Sequence, residues 1–299
     1  MQLITAIEEY LASLRSERGL SRNTVTAYAR DLQQYAEFLA EQGEMETSAI
    51  TPAGVKAFVA AIAATGVAAS TVARKVAAVR GLHRFLVAEG LAAHDPAAQV
   101  DSPKLPSSLP KALTVDQIER LLEGPDPSTP LGLRDRALLE FMYASGARVA
   151  ETVDLQLVDI DLIERSALVT GKGAKQRIVP LGRLAVEALE RYLPVRLELK
   201  RGGDDPGWVF LNVRGGKLSR QGVFLIVRRS AVAAGLEPDE VSPHVLRHSA
   251  ATHMVEGGAD LRTVQEILGH ASISTTQIYT RVSPQHLYEV FLTSHPRSR

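Results

Sequence analysis

The sequence predicts a mostly α protein in two parts: an all-helical N-terminal part, and a C-terminal α+β part with a small antiparallel sheet. Three observations lead there. Apolar residues recur at helical spacing through about the first hundred positions, as in Val25, Tyr28, Leu32, Tyr35 and Leu39. The stretch Asp101 to Leu113, DSPKLPSSLPKAL, is rich in proline and serine and reads as an interdomain linker. Beyond it, amid more helical sequence, Ser166 to Thr170 and Gln176 to Leu181 read as strands around a GKGAK turn. The expected division is therefore 1–100, a linker at 101–113, and 114–299.

The elements follow in order. A first helix covers roughly Leu3 to Glu17, and Ser21 can cap a second that runs to Gly43. Thr51-Pro52 starts a third, because a capping hydroxyl precedes a proline at the first helical position. Ser70 can cap a fourth, ending near Gly90, with Val72, Val76, Val79 and Leu86 on one face. After the linker, Thr114 caps a helix bearing Ile118, Leu121 and Leu122, and Leu131 to Tyr143 forms another that breaks at Ser145-Gly146. Arg148 and Glu151 open a short helix, and Lys172 sits in the hairpin turn. Leu184 to Leu197 and Gln221 to Ala234 read as helices, with a short strand at Trp208 to Asn212 between them. Ser242-Pro243 starts a helix that stops at Gly257-Gly258, and Asp260 caps one that ends at Gly269. Ser283-Pro284 starts a last helix with Leu287, Val290 and Phe291 on its apolar face, too short to stand without docking.

Composition narrows the function. With 299 residues, 45% of them apolar and 23% charged, the chain has the make-up of an ordinary globular protein with room for two cores. Cysteine is absent, which excludes disulfides, thiol catalysis and thiolate metal ligands. Glu8 and Glu9 stand where a secretory leader needs apolar residues, and no apolar run approaches the ~20 residues that span a bilayer. A cytoplasmic protein with no membrane partner is expected. A net charge of zero argues against a nucleic-acid partner, but the distribution does not. Thr47 to Ala88 holds no acidic residue, yet contains Lys56, Arg74, Lys75, Arg80 and Arg84. Arg80 and Arg84, with Arg74 not far round the helix, form a stripe that is a candidate for DNA contact; its plain alternative is a solvated helix face.

The chemistry gathers between Ser242 and Thr280. A helix N-terminus has unpaired amides and a positive dipole end, and His244 and Arg247 share one face of the first turn there. His270 follows the next helix, and Tyr279 comes nine residues later. These types suit a DNA phosphodiester. Tyrosine can be the nucleophile, although only about 0.1% is phenolate at pH 7, a deficit of ~4 kcal/mol, so attack needs a proton acceptor or cationic surroundings, and a neutral histidine supplies the first. Arginine forks, here Arg148 and Arg247, match two phosphate oxygens. A turn lysine such as Lys172 suits the acid for the leaving oxygen. Each feature also has an ordinary reading: Arg148 with Glu151 as a helix-surface ion pair, Lys172 as merely exposed, Tyr279 as half-buried core. His244, His248 and His253 lack the intervening glutamate of a zinc motif, so no metal is expected.

Taken together, GARVAE, TGKGAKQRIVPL, SPHVLRHSAATHM and LGHASISTTQIYT resemble the catalytic boxes of the tyrosine recombinase (phage integrase) family, Xer type, over essentially the whole chain. The resemblance implies a site-specific recombinase that cuts and rejoins DNA through a 3′-phosphotyrosyl intermediate, with no cofactor. It implies Arg148, Lys172, His244, Arg247 and His270 as the catalytic set and Tyr279 as the nucleophile. It implies a core-binding domain that clamps DNA, a catalytic domain, and a final helix exchanged between protomers, so that deleting residues after Ser283 would spare monomer folding but impair assembly. The implied partners are a double-stranded DNA recombination site, a homo- or heterotetramer on it with XerC, and FtsK as activator, in resolving chromosome or plasmid dimers. Ala147 and Thr152 stand where the family usually shows leucines, at packing positions. Mobile-element integrases share these boxes, and a type IB topoisomerase shares the tyrosine chemistry. A catalytically silent DNA-binding protein would have no need of both arginines.

Overall fold

The computed structural model describes residues 1–16, 22–101, 112–200, 205, 207–269 and 284–298. It divides into two compact units, Met1–Ser107 and Ser108–Arg299, each around its own apolar core.

The first unit packs four helices, α1 (Leu3–Ser16), α2 (Arg22–Glu41), α3 (Pro52–Ala64) and α4 (Ala69–Ala88). Thr51 caps α3 by accepting from the Gly54 amide, with Pro52 in the first turn. Helix α4 departs from expectation. It begins at Ala69, Ala68 occupies the cap position without a side-chain bond, and Ser70 lies inside the helix. Burial of Val72, Val76, Val79, Leu82 and Leu86 positions it, so packing takes over what a capping hydroxyl does elsewhere. In this core the Tyr35 hydroxyl and His83 Nε2 share a hydrogen bond of 2.9 Å, which satisfies two polar groups that burial would otherwise penalise.

The second unit is built on α6 (Pro130–Ser145), buried at every position from Ala137 to Ser145. Around it stand α5 (Val115–Glu123), α7 (Val149–Val153), α8 (Arg183–Val195), α9 (Arg220–Ala233), α10 (Pro243–Glu256), α11 (Leu261–Leu268) and α12 (Pro284–Ser294). Thr114 and Gln117 form a capping box at α5. The sheet is antiparallel in the order β1 (Ile160–Asp161), β2 (Ser166–Thr170), β3 (Gln176–Pro180). The hairpin register pairs Val169 with Arg177 and Ala167 with Val179. Strand β1 was not anticipated, and Trp208 to Asn212 is not a strand but takes part in two isolated bridges, Gln156 to Trp208 and Leu211 to Lys217. The reason is local: Arg196 donates to the Trp208 carbonyl and the Tyr192 hydroxyl donates to the Val209 carbonyl, groups a continuous ladder would need. Helix α8 stops at Val195, just after Pro194, and a 3₁₀ turn carries Arg196–Leu199.

Helix α12 docks on its own unit, against α10, α11 and β3. Phe291 is fully buried, His295 beyond the helix is buried, and Arg297 forms a buried ion pair with Glu140 of α6. In the single chain the terminal segment is thus part of its unit's core, so its deletion is expected to cost stability, against the expectation that monomer folding would be spared. Without Arg297, the Glu140 carboxylate would stay in the core with no opposite charge.

Candidate active site

A helix ends with carbonyls that have no partner inside it. At the end of α11 three consecutive carbonyls each take a hydrogen bond from a different arginine. Ile267 accepts from Arg177 Nε at 2.8 Å, Leu268 from Arg247 Nη2 at 2.7 Å, and Gly269 from Arg148 Nη2 at 3.0 Å. The positive guanidinium groups thus meet the negative end of the helix dipole.

Each arginine comes from a different element. Arg148 is the N-cap residue of α7 and follows Gly146, which ends α6 in the left-handed region at φ 57°. The Gly146 carbonyl accepts a second bond from Arg247 Nη1, so the turn between α6 and α7 joins two of the arginines. Arg247 lies in α10, which Ser242 caps through the Val245 amide with Pro243 in the first turn. Arg177 projects from β3. In that strand the exposed residues are Gln176 and Ile178, so the period of two places Arg177 on the inward face with Val179.

Glu151 joins the cluster from below. Its Oε1 accepts from Arg148 Nη1 and Arg177 Nη1, both at 2.9 Å. Its Oε2 accepts from Arg177 Nη2 at 2.9 Å and from the Arg148 backbone amide at 2.8 Å. Burial alone would raise its carboxyl; the Arg177 fork and the Arg148 amide overcome that and bring it below the usual carboxylate value. Two guanidinium groups bond this one carboxylate, and the third, Arg247, feels its charge without bonding it. The Arg247 guanidinium registers the excess: burial first, then the charges of Arg148 and Arg177, push it down to about 10, against the opposing pull of Glu151. It is still charged at pH 7. An arginine has five N–H donors, and the bonds named use two from Arg148 and two from Arg247. With the Arg148 side chain 41% exposed, the cluster is a partly open cradle that an oxyanion would complete.

His244 is exposed in the first turn of α10, one turn ahead of Arg247. Lys172 opens the 3₁₀ turn Lys172–Ala174 between β2 and β3; its side chain is not among the described groups. His270 and Tyr279 lie outside the described residues. His253 is buried on Tyr143, with 2.7 Å between its Nδ1 and the hydroxyl. Among the described residues no group of His, Asp or Glu could hold a metal ion. Sequence reasoning missed Arg177 and its sharing of Glu151 with Arg148. The signal for Arg177 was its place in QRIVPL: counting by twos from buried Val179 puts an arginine on the core face.

The chain matches the model of the Phage integrase family over residues 111–286, and that of the Phage integrase, N-terminal SAM-like domain over residues 7–90. It is 47% identical over 309 residues to Tyrosine recombinase XerD of Mycobacterium tuberculosis (strain CDC 1551 / Oshkosh), covering 99% of each chain. It is 45% identical to Tyrosine recombinase XerC of Roseiflexus sp. (strain RS-1), covering 93% of this chain and 89% of that protein. The chain belongs to the phage integrase family. Members are tyrosine recombinases, which break and rejoin DNA. Among solved structures, XerH bound to palindromic difH substrate in a post-cleavage complex matches with a TM-score of 0.68 and 26% identity, over 85% of this chain and 75% of that one. A lambda integrase tetramer bound to a Holliday junction matches with a TM-score of 0.70 at 20% identity, over 94% and 80%, a likeness of fold alone.

In this recombinase the N-terminal stripe needs one correction. Arg74 and Lys75 do have an acidic partner, Asp31 of α2, which is buried beneath them and accepts from both. The acid-free run Thr47 to Ala88 concealed this because the carboxylate comes from another helix. Arg80 is half-buried and Arg84 exposed; neither meets a carboxylate among the described residues.

Proposed function

We propose that this tyrosine recombinase acts at a specific DNA site through a 3′-phosphotyrosyl intermediate on Tyr279, and that it works as an Xer-type resolvase of chromosome or plasmid dimers. The observation that carries the chemistry is the surplus of guanidinium charge over Glu151. A phosphodiester at rest brings one negative charge, and more gathers on its non-bridging oxygens as the nucleophile adds. A cradle with excess positive charge favours the second state over the first, which is what lowers a barrier.

In the proposed sequence Arg148 and Arg247 hold the non-bridging oxygens. His244 takes the phenol proton as Tyr279 attacks phosphorus in line, and the O5′–phosphorus bond breaks. Lys172 gives its proton to that oxygen, which leaves as a 5′-hydroxyl. His270 donates a further hydrogen bond to the phosphate. The phosphotyrosine keeps the bond energy, so the reverse attack by a 5′-hydroxyl of another strand completes rejoining with no cofactor. For the biological role we read the near full-length similarity to XerD proteins as support for a XerD-like part: a tetramer on DNA, with XerC as partner, FtsK as activator and the cytoplasm as location. No helix among the described residues is long and apolar enough to cross a membrane. The N-terminal unit supplies the clamp on one DNA face.

The test is a nicked suicide DNA substrate carrying a recombination site. The wild-type chain is expected to form a covalent protein–DNA adduct. Tyr279→Phe is expected to bind the same DNA and form none; an adduct from that variant would remove Tyr279 from its role.

A further inference from the structure

Arg177 is the arginine that the reaction as written does not use, yet its side chain makes the most bonds within the cluster. Both its terminal nitrogens bond Glu151, and its Nε bonds the Ile267 carbonyl at 2.8 Å. Its side chain is only 16% exposed, against 41% for Arg148, so it lies beneath the cradle, not on its open side. Gly269, in the left-handed region at φ 68°, packs so close to the Arg177 guanidinium that a Cβ there would stand 3.0 Å from Nη1. Through these contacts one side chain of β3 reaches both α7, which carries Arg148, and the end of α11, which directly precedes His270.

We infer that Arg177 is a positioning residue for strand cleavage: it holds Glu151 and the α11 terminus together so that Arg148 meets the scissile phosphate already oriented. The physical argument has two steps. Glu151 binds Arg148 through both its side chain and its backbone amide. If Arg177 did not supply opposite charge to that carboxylate, Arg148 alone would have to, and its fork would be drawn toward Glu151 and away from a phosphate. Arg177 also fixes the carbonyl row on which Arg148 and Arg247 are aligned, so its loss loosens both from the helix end. A lysine at 177 keeps one positive charge but lacks the planar fork, and a single ammonium does not reproduce paired bonds to Glu151 together with the bond to Ile267.

This inference rests on the proposed recombinase chemistry, and the experiment separates the two. Single-turnover adduct formation is measured on the suicide substrate for wild type, Arg177→Lys and Arg177→Gln, with noncovalent DNA affinity and melting temperature recorded for each. Both variants are expected to bind DNA within about twofold of wild type, since affinity comes mainly from phosphates along the duplex. Cleavage is expected to slow about 10- to 100-fold in each, the scale of lost hydrogen bonds between charged groups. The decisive arm replaces a non-bridging oxygen of the scissile phosphate with a methyl group. That neutral phosphonate asks less of Arg148, so the cost of Arg177→Gln should shrink several-fold. A purely structural residue would cost the same on both substrates, and that result overturns the inference, as does wild-type cleavage by Arg177→Lys, which alone among the variants keeps a cation against Glu151 to preserve the fold. If wild type itself forms no adduct, the recombinase reading falls and this inference with it.

Discussion

The two units bury histidine alike but differ in what they do with arginine. The N-terminal unit buries His83, keeps Arg80 half-buried and leaves Arg84 exposed. The C-terminal unit buries His253 and His295 as well, and it gathers arginines from three separate elements into one partly open cluster. Histidine can enter a core because it can give up its proton: burial lowers His83 to about 4, so it sits neutral beside Tyr35. Arginine cannot discharge, and even at about 10 Arg247 keeps its charge. A core that buries arginine must therefore supply carbonyls and carboxylates, or leave a charge for a ligand to meet. The trio Arg148, Arg177 and Arg247 does both, since carbonyls and Glu151 meet part of its charge and a surplus is left over; on α4 Arg74 is met by Asp31, while Arg80 and Arg84 meet no carboxylate among the described residues.

The sharpest contrast comes from an arginine whose charge is met in full. Arg297 is buried on buried Glu140, and Gly182 lies against its backbone. Arg297→Ala should destabilise the C-terminal unit by about 3–5 kcal/mol, because it strands a carboxylate in the core. Chemical denaturation checks this, and a loss under 1 kcal/mol would mean that Glu140 finds another partner. By contrast, Arg247→Ala should cost transition-state stabilisation: about 2.7–4 kcal/mol, or roughly 10²–10³ in the rate of adduct formation, with much less effect on DNA affinity. If its affinity loss matched its rate loss, Arg247 would bind ground state and transition state alike, and the cradle would be a DNA anchor.

These expectations draw unequally on the sequence. Helix starts were legible at Thr51, Thr114, Ser242 and Asp260, where a capping side chain decides the matter within four residues, although the caps at Thr129 and Ser219 went unread. The start of α4 was not, since tertiary packing places it. Arg148 and Arg247 were legible as members of a spaced motif. Arg177 was not, because its role depends on strand register and on α11 arriving from ninety residues away. The partner of Arg74 was hidden for the same reason: Asp31 lies forty-three residues back, on another helix.

The histidine side of the contrast predicts a pH dependence. His83 has an ordinary value near 6.5 when unfolded and about 4 when folded, so below pH 6.5 the unfolded chain binds the proton more readily. Stability of the N-terminal unit should be intact above pH 6.5 and fall as pH drops toward 4, by about 2–3 kcal/mol from this group. His295, lowered to about 3, imposes the same sign on the C-terminal unit. Melting curves of wild type and His83→Gln between pH 7 and 4 check it: the glutamine variant should lose less stability across that range.

The smallest effects belong to the stripe, and they decide whether it is an interface at all. A lysine or arginine that neutralises a DNA phosphate releases a counterion, so removing it flattens the dependence of log affinity on log salt by about one unit. Arg80→Ala with Arg84→Ala should flatten it by about two units if both contact phosphates. Arg74→Ala should change it by well under one unit, because the Arg74 guanidinium is engaged by Asp31 and Lys75 remains on that carboxylate after it is gone. Equal effects at all three positions would show that the Asp31 pair opens on DNA. An unchanged slope for the double variant would leave the stripe as a solvated helix face.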